Sequence, residues 1–253
     1  ALQAGTSHYF GDGFAKAFDI TFAGKDNQPH HPHQTSWGVS TRMIGGIIMT
    51  HGDDNGLVLP PRVAPIQAIV IPVAQHKAGV LDAAASLRDR LQAAGVRTKM
   101  DESDNSPGWK YAEYEMKGVP LRVEIGPKDM EKEQCVIARR DTGEKVFVPL
   151  AELEETVKKL LDAVHDNMYA MALKNREENT FDITSPAEAK AVTSGKGGFL
   201  RSKWCGSLAC ELAMKEQAGV SSRCMPLEQS GTEGVCPVCG KKCTTDIYWG
   251  VAY

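Results

Sequence analysis

No apolar run among the 253 residues approaches the ~18 that a membrane-spanning helix needs. No segment has the layout of a signal peptide either, so a cytoplasmic chain that does not meet a membrane is expected. Charge of one sign is not in excess: 29 Lys and Arg against 32 Asp and Glu leave a formal net charge of −3. A nucleic-acid ligand must then be held by a local patch, not by the global field. Cysteine is nearly missing from the first 204 residues, where Cys135 stands alone in a strand-like run. The rest is ordinary for a soluble protein, with 42% hydrophobic and 24% charged residues and length enough for more than one core. The opening "ALQAGTSHYF" starts without Met and reads like the middle of an element, so a piece of a longer protein is expected.

Six cysteines crowd the last fifth of the chain. Cys205 and Cys210 are separated by four residues, Cys236 and Cys239 by two. Two such pairs close a tetrahedral thiolate site, and Gly240 allows the tight knuckle after the second pair. With four soft ligands and no open position, the expectation is structural Zn²⁺, not catalytic zinc. Cys243 is an alternative to Cys239 as a ligand, and Cys224 is spare. Free thiols in a reducing compartment are the plain alternative.

Three regions separate. The first contains strand-like "FDITF", a polar loop with His30, His31 and His33, and an apolar helix after "STR". The Pro-rich histidine loop reads as a solvated turn. Ser40 and Thr41 are capping types, and Met43, Ile44, Ile47 and Ile48 form one stripe suited to a buried helix. Arg42 in the first turn is anomalous, because the helix dipole disfavours a cation there. A buried carboxylate or a bound anion should compensate it, unless it snorkels to solvent. Weaker signals are "QAGTSH", a turn that suits close approach to a ligand, and "SWG", an aromatic wall followed by glycine.

From residue 66 strands and helices alternate. "IQAIVIPV" is a buried strand, and a helix follows that Gly95 stops. "VRTKMD" is a strand, and Ser106-Pro107 starts a helix that Gly118 ends. Then come "PLRVEIG", "CVIARRD", a turn at "DTGEK", "VFVPL" and a helix over 151–174. This implies a small mixed α/β sheet of about 100 residues. Between Pro107 and Val148 eight Lys/Arg meet eight Asp/Glu, so composition reveals no basic patch. The third region, from about Phe181, looks irregular, with metal in place of a large core.

Together, "LQAGTSHYFGDGFAKAFDITF", "TSWGVSTRMIGGIIMTHGDDNGLVLPPRVAPIQ", "SPGWKYAEYEMKGVPLRVEIGPKDM" and "ARRDTGEK" resemble prolyl-tRNA synthetases of the archaeal and eukaryotic type. The resemblance covers essentially the whole chain, including the cysteine pairs and the final "YWGVAY". It implies an α/β chain in three parts: a remnant of a class II catalytic domain with an antiparallel sheet (1–64), an anticodon-binding domain with a mixed sheet (65–175) and a zinc-binding domain (176–253). The implied activity joins proline to tRNA(Pro) through prolyl-adenylate, in a homodimer. Arg42 then looks like the motif 3 arginine, and ATP phosphate supplies the missing anion. By the family pattern Gln3, Thr6, Ser40 and Arg42 contact ATP, with Mg²⁺ near Gln3, while His8, Trp37 and Gly38 line the proline site. Trp109, Lys110, Arg122, Glu124, Arg139 and Arg140 are the expected anticodon contacts, although Arg122 and Glu124 could form a plain surface pair. Motifs 1 and 2 lie upstream in that family, so these residues would form only part of an active site. The resemblance also returns Tyr253 toward the catalytic domain. A non-catalytic synthetase paralogue, acting as a tRNA-binding or regulatory module, is the alternative.

Overall fold

The computed structural model describes residues 2, 3 and 5–252. The expected docking of Tyr253 therefore lies outside the described residues. Two compact units part at Gly46/Ile47 and Lys174/Asn175: one holds the N-terminal residues with those from Asn175 onward, the other Ile47–Lys174.

In the N-terminal segment, β1 (Gly5–Gly11) pairs antiparallel with β4 (Gln34–Val39). Between them lie α1 (Gly13–Ala17) and the short pair β2 (Phe22–Ala23) and β3 (Pro29–His30). The strand expected over "FDITF" is thus reduced to its end, and it pairs with part of the expected loop. His30 is held by Asp26, His31 by the Ile20 carbonyl and His33 by the Tyr9 hydroxyl, so the three rings are spent locally. A two-stranded ribbon buries little, and Trp37 is 78% exposed. The stripe on α2 (Arg42–His51) is likewise not buried: Met43, Ile44 and Ile48 are all exposed.

The Ile47–Lys174 unit contains β5 (Ala68–Pro72), α3 (Val80–Ala93), β6 (Thr98–Met100), α4 (Pro107–Met116) and β7 (Leu121–Ile125). It continues with α5 (Pro127–Glu131), β8 (Gln134–Arg139) and β9 (Lys145–Pro149), and α6 (Leu153–Glu178) runs out of it. The sheet order is β6-β5-β7-β8-β9, parallel around β5 and antiparallel from β7 to β9. β5 is buried on both faces. Ala68 and Val70 join the main core with Leu87, Leu91, Val157 and Leu161, while Ile69 and Ile71 join Val119 under Tyr111 and Tyr114. Two-sided burial explains why the strand is apolar without alternation. Ser106 Oγ accepts from the Trp109 amide at 3.4 Å and Pro107 opens α4, so the start signal works as its chemistry requires.

Residues 47–64, grouped with the first region in the sequence, pack with this sheet. The Leu57 and Leu59 amides donate to the Met116 and Gly118 carbonyls at 2.9 and 3.2 Å, and Val58 enters the main core. Gly118 has φ +69°, and a Cβ there would lie 2.7 Å from Leu57 backbone atoms.

Lys110 differs from its expected place at an RNA surface. It is 1% exposed, with Nζ 2.9 Å from both Gln75 Oε1 and the Asp101 carbonyl and 3.6 Å from the Asp101 carboxylate. An ammonium enclosed in this way has no donor left for a base, so Lys110 is a buried tie between two loops.

The C-terminal part is more regular than expected. β10 (Thr180–Asp182), α7 (Pro186–Ser194) and β11 (Phe199–Trp204) make a parallel crossover. α8 (Leu208–Ala218), β12 (Ser221–Cys224), the pair β13 (Gly234–Val235) and β14 (Lys242–Cys243), and β15 (Thr245–Gly250) follow. The sheet order is β10-β11-β15-β12. It has a core of its own, in which Leu200, Ile247 and Trp249 pack with Ala189, Met214 and Ala218 of the helices. This part of the chain therefore does not need a metal in place of a core.

Two substitutions test this packing by native-state hydrogen exchange of the β5 and β7 amides. Gly118→Ala forces a left-handed backbone on alanine and pushes on Leu57, and should lower protection by at least about 2 kcal/mol. Lys110→Met strands Asp101 and should cost about 3 kcal/mol. Were Lys110 a surface RNA contact, its loss would leave protection within about 0.5 kcal/mol.

Candidate functional site

The N-terminal ribbon brings together part of the expected nucleotide set. Arg42 opens α2, where Ser40 Oγ accepts from its amide at 3.3 Å. Its Nη1 donates to Gln3 Oε1 at 3.4 Å, and no carboxylate pairs with it among the described residues. Register fixes the rest. Thr6 lies opposite Gly38, Ser7 opposite Trp37 and His8 opposite Ser36. Paired residues share a face and successive ones alternate, so Thr6, His8 and Gly38 look one way and Trp37 the other. His8 stacks on Phe10 along the same face, with ring centroids 5.2 Å apart. Trp37 therefore does not join His8 in one pocket wall, contrary to expectation: a one-residue offset on a strand reverses the face.

In the Ile47–Lys174 unit the candidate anticodon residues divide. The Arg122 guanidinium lies over the Tyr111 ring, 4.0 Å from its centroid, and Nε donates to Glu124 Oε1 at 2.9 Å. The Tyr111 hydroxyl donates to the other Glu124 oxygen at 2.9 Å. Burial and the Glu124 carboxylate hold the Tyr111 phenol well above its usual range. Arg139 grips Asp141 through two nitrogens at 3.0 and 2.7 Å. Arg140 grips Asp53 at 2.7 and 2.6 Å and donates Nε to the Glu115 carbonyl. Burial of Tyr114, with Asp101 beside it, raises that phenol to about 12. Arg122, Arg139, Arg140 and Tyr114 meet around a depression of about 160 Å³. Trp109, 50% exposed, and the buried Lys110 are not among its lining residues. Asp53 and Asp141 were missed as partners. Asp141 had a local signal two residues from Arg139, whereas Asp53 is 87 residues from Arg140 and had none.

The four expected cysteines converge. One sulfur from each of Cys205, Cys210, Cys236 and Cys239 lies within 4.8 Å of all the others. The Cys205 sulfur is 3.6 Å from that of Cys210 and 3.7 Å from that of Cys239. Cys205 follows β11, Cys210 sits in the first turn of α8, and Cys236 and Cys239 frame a turn in which Gly240 takes φ +69°. Burial works to raise the Cys236 thiol, but backbone N–H groups of Cys239, Val238 and Cys205 outweigh it and bring it down to about 7. Such a donor set can hold a soft metal ion; Cys243 and Cys224 lie outside it.

Comparison with known proteins agrees with these two domains. Residues 67–160 match the family described as anticodon binding domain, and residues 186–253 match the family described as prolyl-tRNA synthetase, C-terminal. Over all 253 residues the chain is 54% identical to a proline–tRNA ligase of Clostridium novyi (strain NT) and 53% identical to proline–tRNA ligase 2 of Bacillus thuringiensis (strain Al Hakam). A proline–tRNA ligase of Clostridium botulinum (strain Loch Maree / Type A3) is 54% identical over the same span. Each alignment covers 100% of this chain and 53% of the relative, so the chain spans about half the length of the curated relatives it matches. These relatives are bacterial, and the archaeal and eukaryotic label of the sequence resemblance does not come from them. The chain thus carries the anticodon-binding and C-terminal domains of the prolyl-tRNA synthetase family.

Proposed function

We propose that this chain serves a proline–tRNA ligase, a class II synthetase that uses ATP to join proline to tRNA(Pro). The observation that carries the reading is the similarity to such ligases along 100% of the chain. In the proposed reaction a carboxylate oxygen of proline attacks the ATP α-phosphate, pyrophosphate leaves, and prolyl-adenylate then acylates the tRNA. Two anions must be brought together, so positive charge and positioning do most of the work. Arg42, with no carboxylate partner among the described residues, can spend its guanidinium on phosphate. Gln3 orients that group, and Thr6 and Ser40 supply hydroxyls nearby. His8 and Gly38, on the Thr6 face, are the proposed proline side. Mg²⁺ accompanying the ATP would neutralise phosphate charge in the neighbourhood of Gln3. The exposed apolar residues of β1, β4 and α2 would be covered by the rest of a catalytic domain, which the roughly half-length match leaves room for.

Anticodon bases are proposed to sit at the Arg122–Tyr111 stack and the depression beside it, where unstacked bases find planar groups and base-edge donors. The homodimer and the cytoplasmic location belong to the same reading; no described helix is long and apolar enough to cross a membrane. Zn²⁺ is the proposed metal. A 2.3 Å metal–sulfur bond in a tetrahedron separates sulfurs by about 3.8 Å, close to the two distances above. The ion would tie β11, α8 and the knuckle together without touching substrate.

In a full-length enzyme, Arg42→Ala should remove about 2–4 kcal/mol of transition-state stabilisation, read as kcat/KM for ATP in proline-dependent ATP–pyrophosphate exchange. An unchanged value would return Arg42 to the role of a solvated helix residue. Protein purified without chelator should carry close to one equivalent of zinc per chain by elemental analysis. Cys236→Ser should lose it and Cys224→Ser should keep it; metal-free wild-type protein would overturn the assignment.

A further inference from the structure

The four-stranded C-terminal sheet is covered by helices on one face, while the other is covered only at one end, where Ser230 and Gly234 lie against Lys203 and Asp246. Leu200, Ser202, Ile247 and Trp249 turn toward α7 and α8, and Trp249 Nε1 donates to Ser202 Oγ at 2.8 Å. Strand alternation sends Phe199, Arg201 and Tyr248 to the other face. There, with Arg176 from the end of α6 and Arg223 from the irregular step in β12, they line a hollow of about 580 Å³. Gly250 lies between two of the lining residues: a Cβ would stand 3.5 Å from the Arg223 stem and 3.6 Å from the Phe199 ring. Any larger side chain would fill the gap between them.

The charges of this hollow are not balanced internally. Arg201 spends two nitrogens on Asp182, at 2.6 and 2.8 Å. Arg176 and Arg223 have no carboxylate partner among the described residues. Arg223 gives one nitrogen to Ser221 Oγ, and its Nε is buried with no hydrogen-bond partner. Glu177 is the one acidic residue of the lining. In a chain of net charge −3, this is a local cationic site with two aromatic rings on an open sheet.

We infer that this outer sheet face binds a short stretch of single-stranded RNA, with phosphates on Arg176 and Arg223 and a base against Phe199 or Tyr248. Two rings set on a flat sheet offer π-faces that accept any base, and the arginines supply backbone contacts. An anionic peptide would use the same charges but would leave the rings without a stacking partner. The nucleotide chemistry follows from the hollow itself; the choice of RNA rests on the tRNA-ligase reading above.

Photo-cross-linking of the 253-residue chain to a 4-thiouridine hexaribonucleotide, mapped by peptide mass spectrometry, tests the site. Adducts are expected on the peptides carrying Phe199 and Tyr248. Two phosphate contacts imply that they fall about sevenfold between 50 and 200 mM salt. Arg223→Gln should reduce them at least fivefold, and so should Arg176→Glu, an exposed change that spares the fold. Adenosine monophosphate should compete better than inorganic phosphate at equal concentration; equal competition would overturn the stacking role and leave an anion site only. Adducts confined to 107–149 would overturn the C-terminal site while leaving the anticodon reading intact. No adducts anywhere would overturn both.

Discussion

A cation withdrawn from water needs a fixed acceptor, and how this chain meets that demand decides which of its basic residues can face a ligand. Lys110 is enclosed by Gln75 and Asp101, Arg140 by Asp53, Arg139 by Asp141 and Lys203 by Asp246. Each pair consumes donors that a nucleic acid could have used. The Lys203 ammonium, with the Ser230 amide and hydroxyl, holds Asp246 down to about 2 against the effect of burial, so that pair persists through ordinary pH. Arg97 is spent on the backbone carbonyls of Ala64, Pro61 and Arg62, whereas Arg42, Arg176 and Arg223 have no carboxylate partner among the described residues and stand at the proposed phosphate positions.

The same demand shapes the Arg122–Tyr111–Glu124 cluster. It looks like a plain surface pair in the sequence, and the pair does form. What the pairing adds is orientation: Glu124 holds both the Arg122 guanidinium and the Tyr111 hydroxyl, so two planar groups stay stacked at the edge of a depression. Rigid planes of this kind suit base recognition better than free side chains, because little rotamer entropy remains to be lost.

The two sheets use their faces differently. β5 is covered on both sides, so its unit presents polar chemistry at strand ends and beyond β7. The C-terminal sheet is covered by α7 and α8 on one side, and on the other only Lys203 and Asp246 are overlaid, by Ser230 and Gly234, which leaves Phe199, Arg201 and Tyr248 lining a hollow. Incomplete burial of that second face is why aromatic and cationic side chains can share a surface there without either being misplaced.

Local chemistry was legible in the sequence wherever neighbours along the chain decide the outcome. The strand and helix alternation from residue 66 to 174 followed from periodicity and from stops such as Gly95 and Gly118, whose left-handed backbone suits glycine. The cysteine spacing likewise led to Cys205, Cys210, Cys236 and Cys239, because a turn of two residues and a strand-to-helix turn of four are short-range structures. Tertiary structure decided the rest. Whether Lys110 faces RNA or a buried aspartate, and whether Arg140 is free or tied to Asp53, depends on residues far away along the chain. That Trp37 looks away from His8 depends on the register of β1 against β4, a single-residue matter that composition does not encode. The C-terminal core escaped notice because its apolar residues are scattered singly over two helices and a sheet, and only folding gathers them into one cluster.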